Sequence, residues 1–376
     1  MPPGMRKSAE SRLREGARSL GELAAFARRG FLGTRVPLHL TLFVTGRCNL
    51  RCRHCFHWRA VAQGRAGPRI DEIERLAASL REPLLWLALG GGEPFLRDDL
   101  ERIAGAFARG GLWHLSIPTN GLLADPVARV DAILDACPGT HVSIGVSIDG
   151  PAPVHDRLRG AVGCHARAVR TLKALLRRRR GEPRLGVGIL TTVTRANQDV
   201  LAAHVERLVR ELGPDNLTIN LARKDALDRE LLDVDVERYE DVVRAKRRLV
   251  EDGCLPYFDF PFARLGAARD ELLYERIASI ARGEPREHLP CTAGRLSAVV
   301  FEDGELHACE VLGESLGNLR DVDWQLPALW HGSAAEELRR RIRETRCTCT
   351  WECAQGDNLL FRLRSWPQLV RRSLSR

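Results

Sequence analysis

Eleven cysteines stand in this 376-residue chain, and eight of them fall into two groups. Cys48, Cys52 and Cys55 form a Cys-x3-Cys-x2-Cys run, while Cys291, Cys309, Cys347, Cys349 and Cys353 occupy the last quarter. The N-terminus carries Arg6, Lys7, Arg12 and Arg14 without the apolar core of a signal peptide, so the chain reads as cytoplasmic, where thiols stay reduced. Metal or redox chemistry is therefore expected of the cysteines, not disulfides. Three thiolates so close in sequence can converge on one metal cluster, and cysteine is the usual ligand of a 4Fe-4S cluster. A closed site takes four protein ligands, so three leave one metal position open to a small molecule. Cys137, Cys164 and Cys254 stand alone and read as small buried apolar residues.

What must position the first group is a run of βα units. From residue 38 to about 220, short apolar runs alternate with segments of helical period. Candidate strands are Leu38 to Thr45, Leu84 to Leu89, Leu112 to Ile117, His141 to Ile148, Leu185 to Val193 and Asn216 to Asn220. Between them Leu100, Ile103 and Phe107 share a helical face, as do Leu201, Val205, Leu208 and Val209 after Asn197, a candidate N-cap. Right-handed crossovers curl such a sheet, but six strands fall short of a closed eight-fold barrel, so an α/β fold with a partial (β/α)6 TIM-like barrel is expected over 38–222. The cysteine loop follows the first strand, at the end where barrel active sites lie.

An amphipathic helix is expected in 1–37 (Leu13, Ala17, Leu20, Ala24), and a helical connection over 223–290, with Val236 to Leu249 and Ala268 to Ala281 as its helices. From 291 to 376 a small α+β unit is expected: a hairpin of Ala298 to Phe301 and Glu305 to Ala308 around Asp303-Gly304, then a helix from Ala334 to Ile342. Apolar content of 44% with 28% charged residues excludes a disordered chain, and the longest apolar run, Leu84 to Leu89, is too short for a membrane span. The net charge of +9 comes from arginines scattered among acids, with lysine only at Lys7, Lys173, Lys224 and Lys246. The dense block, Arg177 to Arg180, ends a helical pattern where cations complement the dipole, so no nucleic-acid partner is expected.

With the loop Thr45-Gly46-Arg47-Cys48-Asn49-Leu50-Arg51-Cys52-Arg53-His54-Cys55-Phe56 at a strand end, the sequence resembles the radical SAM superfamily. Gly91-Gly92-Glu93-Pro94 after the second strand is similar to the family's GGE motif. Thr119-Asn120-Gly121 and Ser147-Ile148-Asp149-Gly150 end the third and fourth strands, and His155-Asp156-Arg157-Leu158-Arg159 follows. Each is alone a turn or strand end, but four in order on one face are poorly explained by turn chemistry. The resemblance implies a 4Fe-4S cluster on Cys48, Cys52 and Cys55 whose open iron takes S-adenosyl-L-methionine. It further implies close approach of the backbone to the cofactor at Gly91 and Gly92, Glu93 accepting from the cofactor's ammonium, and polar contacts from Asn120, Ser147 and Asp149. His54 is implied near the adenine and Arg159 at the methionine carboxylate. Thr191 and Thr192 face opposite sides of the fifth strand, so at most one of them reaches the site. His57 and Trp58 read as packing residues.

Cys291, Gly304 and Cys309 resemble the opening of a SPASM or Twitch auxiliary-cluster domain, and Gly317-Asn318-Leu319 and Leu329-Trp330 fit its linker. The closing Cys347-x-Cys349-x3-Cys353 is shorter than the SPASM spacing. Five cysteines can fill one auxiliary 4Fe-4S cluster, a shortened Twitch-like arrangement, with the four ligands undecided. A zinc knuckle is the structural alternative. The implied activity is reductive cleavage of S-adenosylmethionine to a 5′-deoxyadenosyl radical that abstracts hydrogen from a substrate, with an electron donor such as a flavodoxin or ferredoxin as partner. An auxiliary cluster that accepts the substrate's electron would make the net reaction an oxidation, hence an oxidoreductase. The substrate is expected to be a small, anionic molecule. A ribosomal-peptide maturase working with a partner chain is the alternative, disfavoured by the short stretch before the first strand, and a non-catalytic zinc-stabilised binding protein is a third reading.

Overall fold

The computed structural model describes residues 21, 24–223, 225–257, 263–284 and 288–374. The expected helix residues Leu13, Ala17 and Leu20 lie outside them. Helical chain over 24–32 packs Phe31 against Phe361 and Trp366, with ring centroids 6.0 and 6.1 Å apart.

Six parallel strands follow in sequence order: β1 (His39–Thr45), β2 (Trp86–Gly91), β3 (His114–Thr119), β4 (His141–Ser147), β5 (Leu185–Val193) and β6 (Asn216–Leu221). The crossovers between them carry α1 (Trp58–Gln63) and α2 (Ile70–Ser79), α3 (Leu100–Ala108), α4 (Pro126–Ala136), α5 (Ala152–Arg159) and α6 (Cys164–Arg179), and α7 (Gln198–Leu212). Then come α8 (Val236–Glu251) and α9 (Ala263–Ala281). The partial barrel is as expected, but β2 and β3 each begin two residues later than their apolar runs. Leu84 and Leu112 are buried ahead of the strands, so hydrophobicity there marks entry into the core and not pairing.

The C-terminal hairpin does not stand apart from the barrel. Its strands β7 (Ser297–Val300), β8 (Glu305–His307) and β9 (Ser315–Asn318) extend the same sheet, β7 pairing in parallel with β1, to give the order β6-β5-β4-β3-β2-β1-β7-β8-β9. The short α10 (Leu326–Trp330), α11 (Ser333–Glu344), α12 (Glu352–Leu360) and α13 (Trp366–Leu374) complete the chain.

The barrel stops at six because side chains satisfy the outer edge of β6. The Ile219 amide donates to Tyr274 Oη at 3.2 Å and the Leu221 amide to Glu352 Oε1 at 2.9 Å, which blunts an edge that would otherwise template another strand. From the same helix, α12, Asp357 reaches His39 at the start of β1, 3.4 Å away, so α12 lies along the seam between β6 and β1.

One face of β2 to β5 is packed under helices by Leu87, Leu89, Leu115, Ile117, Val142, Ile144, Val187 and Ile189, all buried. The other, concave, face is not filled. Ala88, Gly90, Ser116, Pro118, Ser143, Gly145 and Gly186 are partly exposed, where a closed barrel carries layers of branched side chains.

Candidate functional site

The cysteine loop leaves β1 and is held by backbone. Gly92 N–H donates to Thr45 O at 2.7 Å and Glu93 N–H to Arg47 O at 2.8 Å. A Cβ on Gly92 would stand 2.1 Å from Arg47 O, and one on Gly91, whose φ is +116°, 2.2 Å from Thr45 O. Both glycines are needed for this approach of the two backbones. On the other side, Arg53 N–H donates to Leu158 O at 2.8 Å, tying the loop to α5.

Cys48, Cys52 and Cys55 are free, half-buried and within each other's electrostatic reach. Burial raises all three thiols above their ordinary value, Cys55 to about 12, so metal must displace their protons on binding. The Arg159 guanidinium reaches Cys52 Sγ at 3.9 Å and pairs with Asp149 at 2.6 Å. Asp149 is fully buried. Burial pushes its carboxyl up, but Arg159, His54 and His155 outweigh that and hold it below the usual range. It also accepts from Thr192 N–H at 2.9 Å, so of the two threonines it is Thr192, partly exposed, that meets the site. His54 Nε2 lies 3.6 Å from Asp149, and burial lowers its pKa to about 4, leaving the ring neutral.

Glu93 is buried and accepts from Asn120 N–H at 2.8 Å, Thr119 Oγ1 at 2.9 Å and Phe95 N–H at 3.3 Å. Burial still pushes its carboxyl up to about 7. Asn120 is turned by its side chain onto Asn49 of the cysteine loop, 2.7 Å away. Ser147 is buried at the end of β4. The residues singled out in sequence thus form one connected network with the cysteine loop, with Ser147 beside it at the strand end.

Two members of that network were named in the sequence without a role in it, Asn197 as an N-cap and His155 as part of a motif. Asn197 stands at the N-cap position of α7, yet its side chain donates to Asp149 O (2.8 Å) and Thr192 O (2.9 Å) and accepts from Thr194 N–H, locking the ends of β4 and β5 together. His155 Nδ1 accepts from Asp149 N–H at 3.0 Å. His155, Asp156 and Cys164 come within metal-binding distance of one another, but that bond places the ring proton on Nε2, and Asp156 is spent on Gly163 N–H, His165 N–H and the Cys164 thiol. These hydrogen bonds make the cluster a cap on α6.

In the C-terminal group the Cys291 thiol bonds to Cys347 and holds Cys347 below the ordinary thiol value, while Cys349 lies within electrostatic reach of Cys291, Cys347 and Cys309. Cys353, at the start of α12, is raised by burial to about 12, with Glu310 adding to the shift and Arg223 opposing it. Arg223, just beyond β6, pairs with Glu352 and lies 3.8 Å over the Trp351 ring. Phe56, next to Cys55, meets the same Trp351 edge-on at 5.6 Å, so the two cysteine groups are joined through aromatic contact. Arg223 carried no recognisable motif; its only signal was a cation at a strand end shared with the other motifs. Cys137 and Cys164 are buried as expected, whereas Cys254 is partly exposed after α8, where Arg210 donates to it. Trp58 Nε1 donates to Asp225 O, and His57 packs edge-on against Phe43 at 4.7 Å, but its Nε2 also lies 3.1 Å from the buried Glu302 carboxylate, so His57 is more than a packing residue.

Three thiols on one strand-end loop, beside a buried carboxylate with no ion-pair partner among the described residues, fit a cluster with one open iron and an ammonium-bearing ligand. Residues 42–208 match the radical SAM superfamily, so the chain carries a radical SAM domain there. It is 26% identical over 360 residues to the pre-heme d1 synthase of Dinoroseobacter shibae, covering 85% of this chain and 80% of that protein. It is likewise 26% identical over 324 residues to the AdoMet-dependent heme synthase of Methanosarcina barkeri, covering 83% and 86%. The solved structure of Streptococcus suis SuiB bound to S-adenosylmethionine shares the fold, with a TM-score of 0.59 at 14% identity over 90% of this chain and 73% of that one. The cofactors are those of the superfamily, a 4Fe-4S cluster and S-adenosylmethionine, and the C-terminal cysteine-rich region fits an auxiliary cluster. No helix among the described residues is long and apolar enough to cross a membrane.

Proposed function

We propose that this protein abstracts hydrogen from a side chain of a carboxylate-bearing tetrapyrrole. The observation behind this reading is the unfilled concave face. Its small residues leave room, and at its floor Trp86 is stacked between His39 (4.2 Å, rings at 10°) and His114 (6.0 Å, 16°), an aromatic row whose edges an apolar macrocycle could meet. Strands of six or seven residues are about 20 Å long, enough to seat such a ring between ledge and rim. Two relatives that each cover more than four-fifths of this chain are named for heme synthesis, while a third that covers 76% of it is named for bacteriocin biosynthesis.

In this reading Cys48, Cys52 and Cys55 hold the cluster, and Glu93, Asn120, Ser147, Asp149 and His54 surround S-adenosylmethionine. Bound there, the pair supplies hydrogen-atom abstraction through one-electron cleavage of the sulfonium. The chain fixes the geometry: Arg159 and Asn197 hold Asp149 in place, and Gly91 and Gly92 let the backbone close on the loop. Arg159, already committed to Asp149, acts on the methionine carboxylate only through the donors it has left. The C-terminal cysteines hold an auxiliary cluster that can take up the electron left on the substrate.

The test is to reconstitute the protein anaerobically, assay iron and acid-labile sulfide, and add coproporphyrin III, with and without iron, or a linear peptide. Porphyrin is expected to shift its absorption on binding and to couple 5′-deoxyadenosine release to its own consumption. Trp86→Ala should weaken porphyrin binding about tenfold, near the worth of one good aromatic contact. Stimulation by peptide with no porphyrin binding overturns the substrate class, and zinc without iron overturns the chemistry.

A further inference from the structure

At the end of the barrel away from the cysteine loop, where β3, β4 and β5 begin, the unfilled concave face runs out into a cavity of about 340 Å³. His114, Ser143 and Gly186 line its inner wall, and Arg179, Arg180 and Arg184 its outer one. That volume suits a small ligand. The N-terminal end of a barrel ordinarily serves stability, so an open cavity there asks for a reason.

The outer wall carries an excess of positive charge. Arg179 pairs with Asp215, and Arg184 with Glu182 at 2.9 Å. Both pairs are tied to backbone, since Asp215 accepts from Val187 N–H at 2.7 Å and Arg184 donates to Cys137 O at 3.0 Å, so the wall is held in place. Arg179 spends only Nη1 on its partner. Arg180 is exposed and has no carboxylate partner among the described residues, so three guanidiniums face two carboxylates. His114 adds no charge, because burial lowers its pKa to about 3, and its Nε2 lies 2.8 Å from Ser143 Oγ. The dipole of α6 accounts for cations at its C-terminal end, but not for a cavity between them and the sheet. Arg177, in the same arginine block and also exposed, is not part of the lining.

We infer that this N-terminal mouth binds the carboxylate or phosphate group of a small molecule, with Arg180 and the unspent donors of Arg179 on the oxyanion and the body of the ligand against His114, Ser143 and Gly186. A guanidinium fork matches either group, and the excess charge on the wall is what an oxyanion neutralises. Because the cysteine loop lies at the opposite end of the strands, the anion and S-adenosylmethionine occupy separate places and bind together. The site stands whether or not the concave face takes a tetrapyrrole.

The experiment titrates the cluster-loaded full chain with citrate and with pyrophosphate in a calorimeter. At least one of them should bind with a Kd of about 1 mM or tighter. Tighter binding of citrate identifies a carboxylate ligand, and tighter binding of pyrophosphate a phosphate. Arg180→Glu should weaken binding at least about tenfold, whereas Arg177→Glu, the same charge change in the same block but outside the lining, should leave it within about twofold. Saturating S-adenosylmethionine should leave the anion's affinity unchanged. Both variants should keep the parent's melting temperature, since both residues are exposed. Equal loss in the two variants makes the anion a diffuse counter-ion and overturns the inference. So does displacement of the anion by S-adenosylmethionine, or a Kd weaker than about 1 mM for both probes. No porphyrin enters the assay, so its outcome is separate from that of the tetrapyrrole reading.

Discussion

Glu93 carries an electrostatic cost that its surroundings do not remove. Three donors point at its carboxylate, yet burial still pushes it up to about 7, against an ordinary value of 4.5. Between those values the folded state binds more protons than the unfolded chain, so stability falls as pH rises through that window, by at most about 3 kcal/mol once Glu93 is fully ionised. Glu93→Gln cannot ionise. The cofactor-free parent should therefore lose melting temperature relative to the Gln variant between pH 5 and 8, whatever the variant's absolute stability; parallel melting curves across that range would count against a buried, unneutralised carboxylate. A bound ammonium reverses the cost, since a cation beside Glu93 favours its charged form.

Backbone approach, more than side-chain chemistry, sets the site at the scale of elements. Gly92→Ala places a methyl 2.1 Å from Arg47 O, a contact that only a shift of the cysteine loop relieves. The substitution should fold, because β2 and its core residues are untouched, but should lose iron from the core site while the C-terminal site keeps its own. Iron counting against Mössbauer or EPR spectra checks this, and full core occupancy would refute it. The order of strands, their motif-bearing ends and the glycine turns were legible in the sequence because period-two apolar runs and positive-φ residues are local properties. The end of the chain was not. Gln355, Gly356, Asp357 and Asn358 carry no local helix signal, yet they lie buried inside α12. Their side chains are used across the molecule: Gln355 on Arg276 and Cys349 O, Asp357 on His39, Asn358 on Thr292. Tertiary hydrogen bonds outweigh weak helix propensity there, and no local pattern announces them.

The same helix decides how the whole molecule closes. A six-strand sheet leaves a seam between β6 and β1, and α12 lies along it, with Glu352 on the Leu221 amide and Asp357 on His39. Glu352 also pairs with Arg223, which covers Trp351, which in turn touches Phe56 beside the first cysteine group. The C-terminal region is thus the seventh to ninth strands of the sheet and the wall of the barrel, instead of an appendage, and the two cysteine groups depend on one buried ion pair for their relative placement. Removing one partner of such a pair strands the other charge and costs about 3–5 kcal/mol, most of which is recovered when both are replaced by apolar groups. Glu352→Ala should lower the melting temperature by several degrees and reduce iron at the C-terminal site first, because its cysteines flank α12. Arg223→Met with Glu352→Leu should restore much of the melting temperature. If the double substitution is instead as unstable as the single one, the lost bond to the Leu221 amide, and not the unpaired charge, is what the seam depends on.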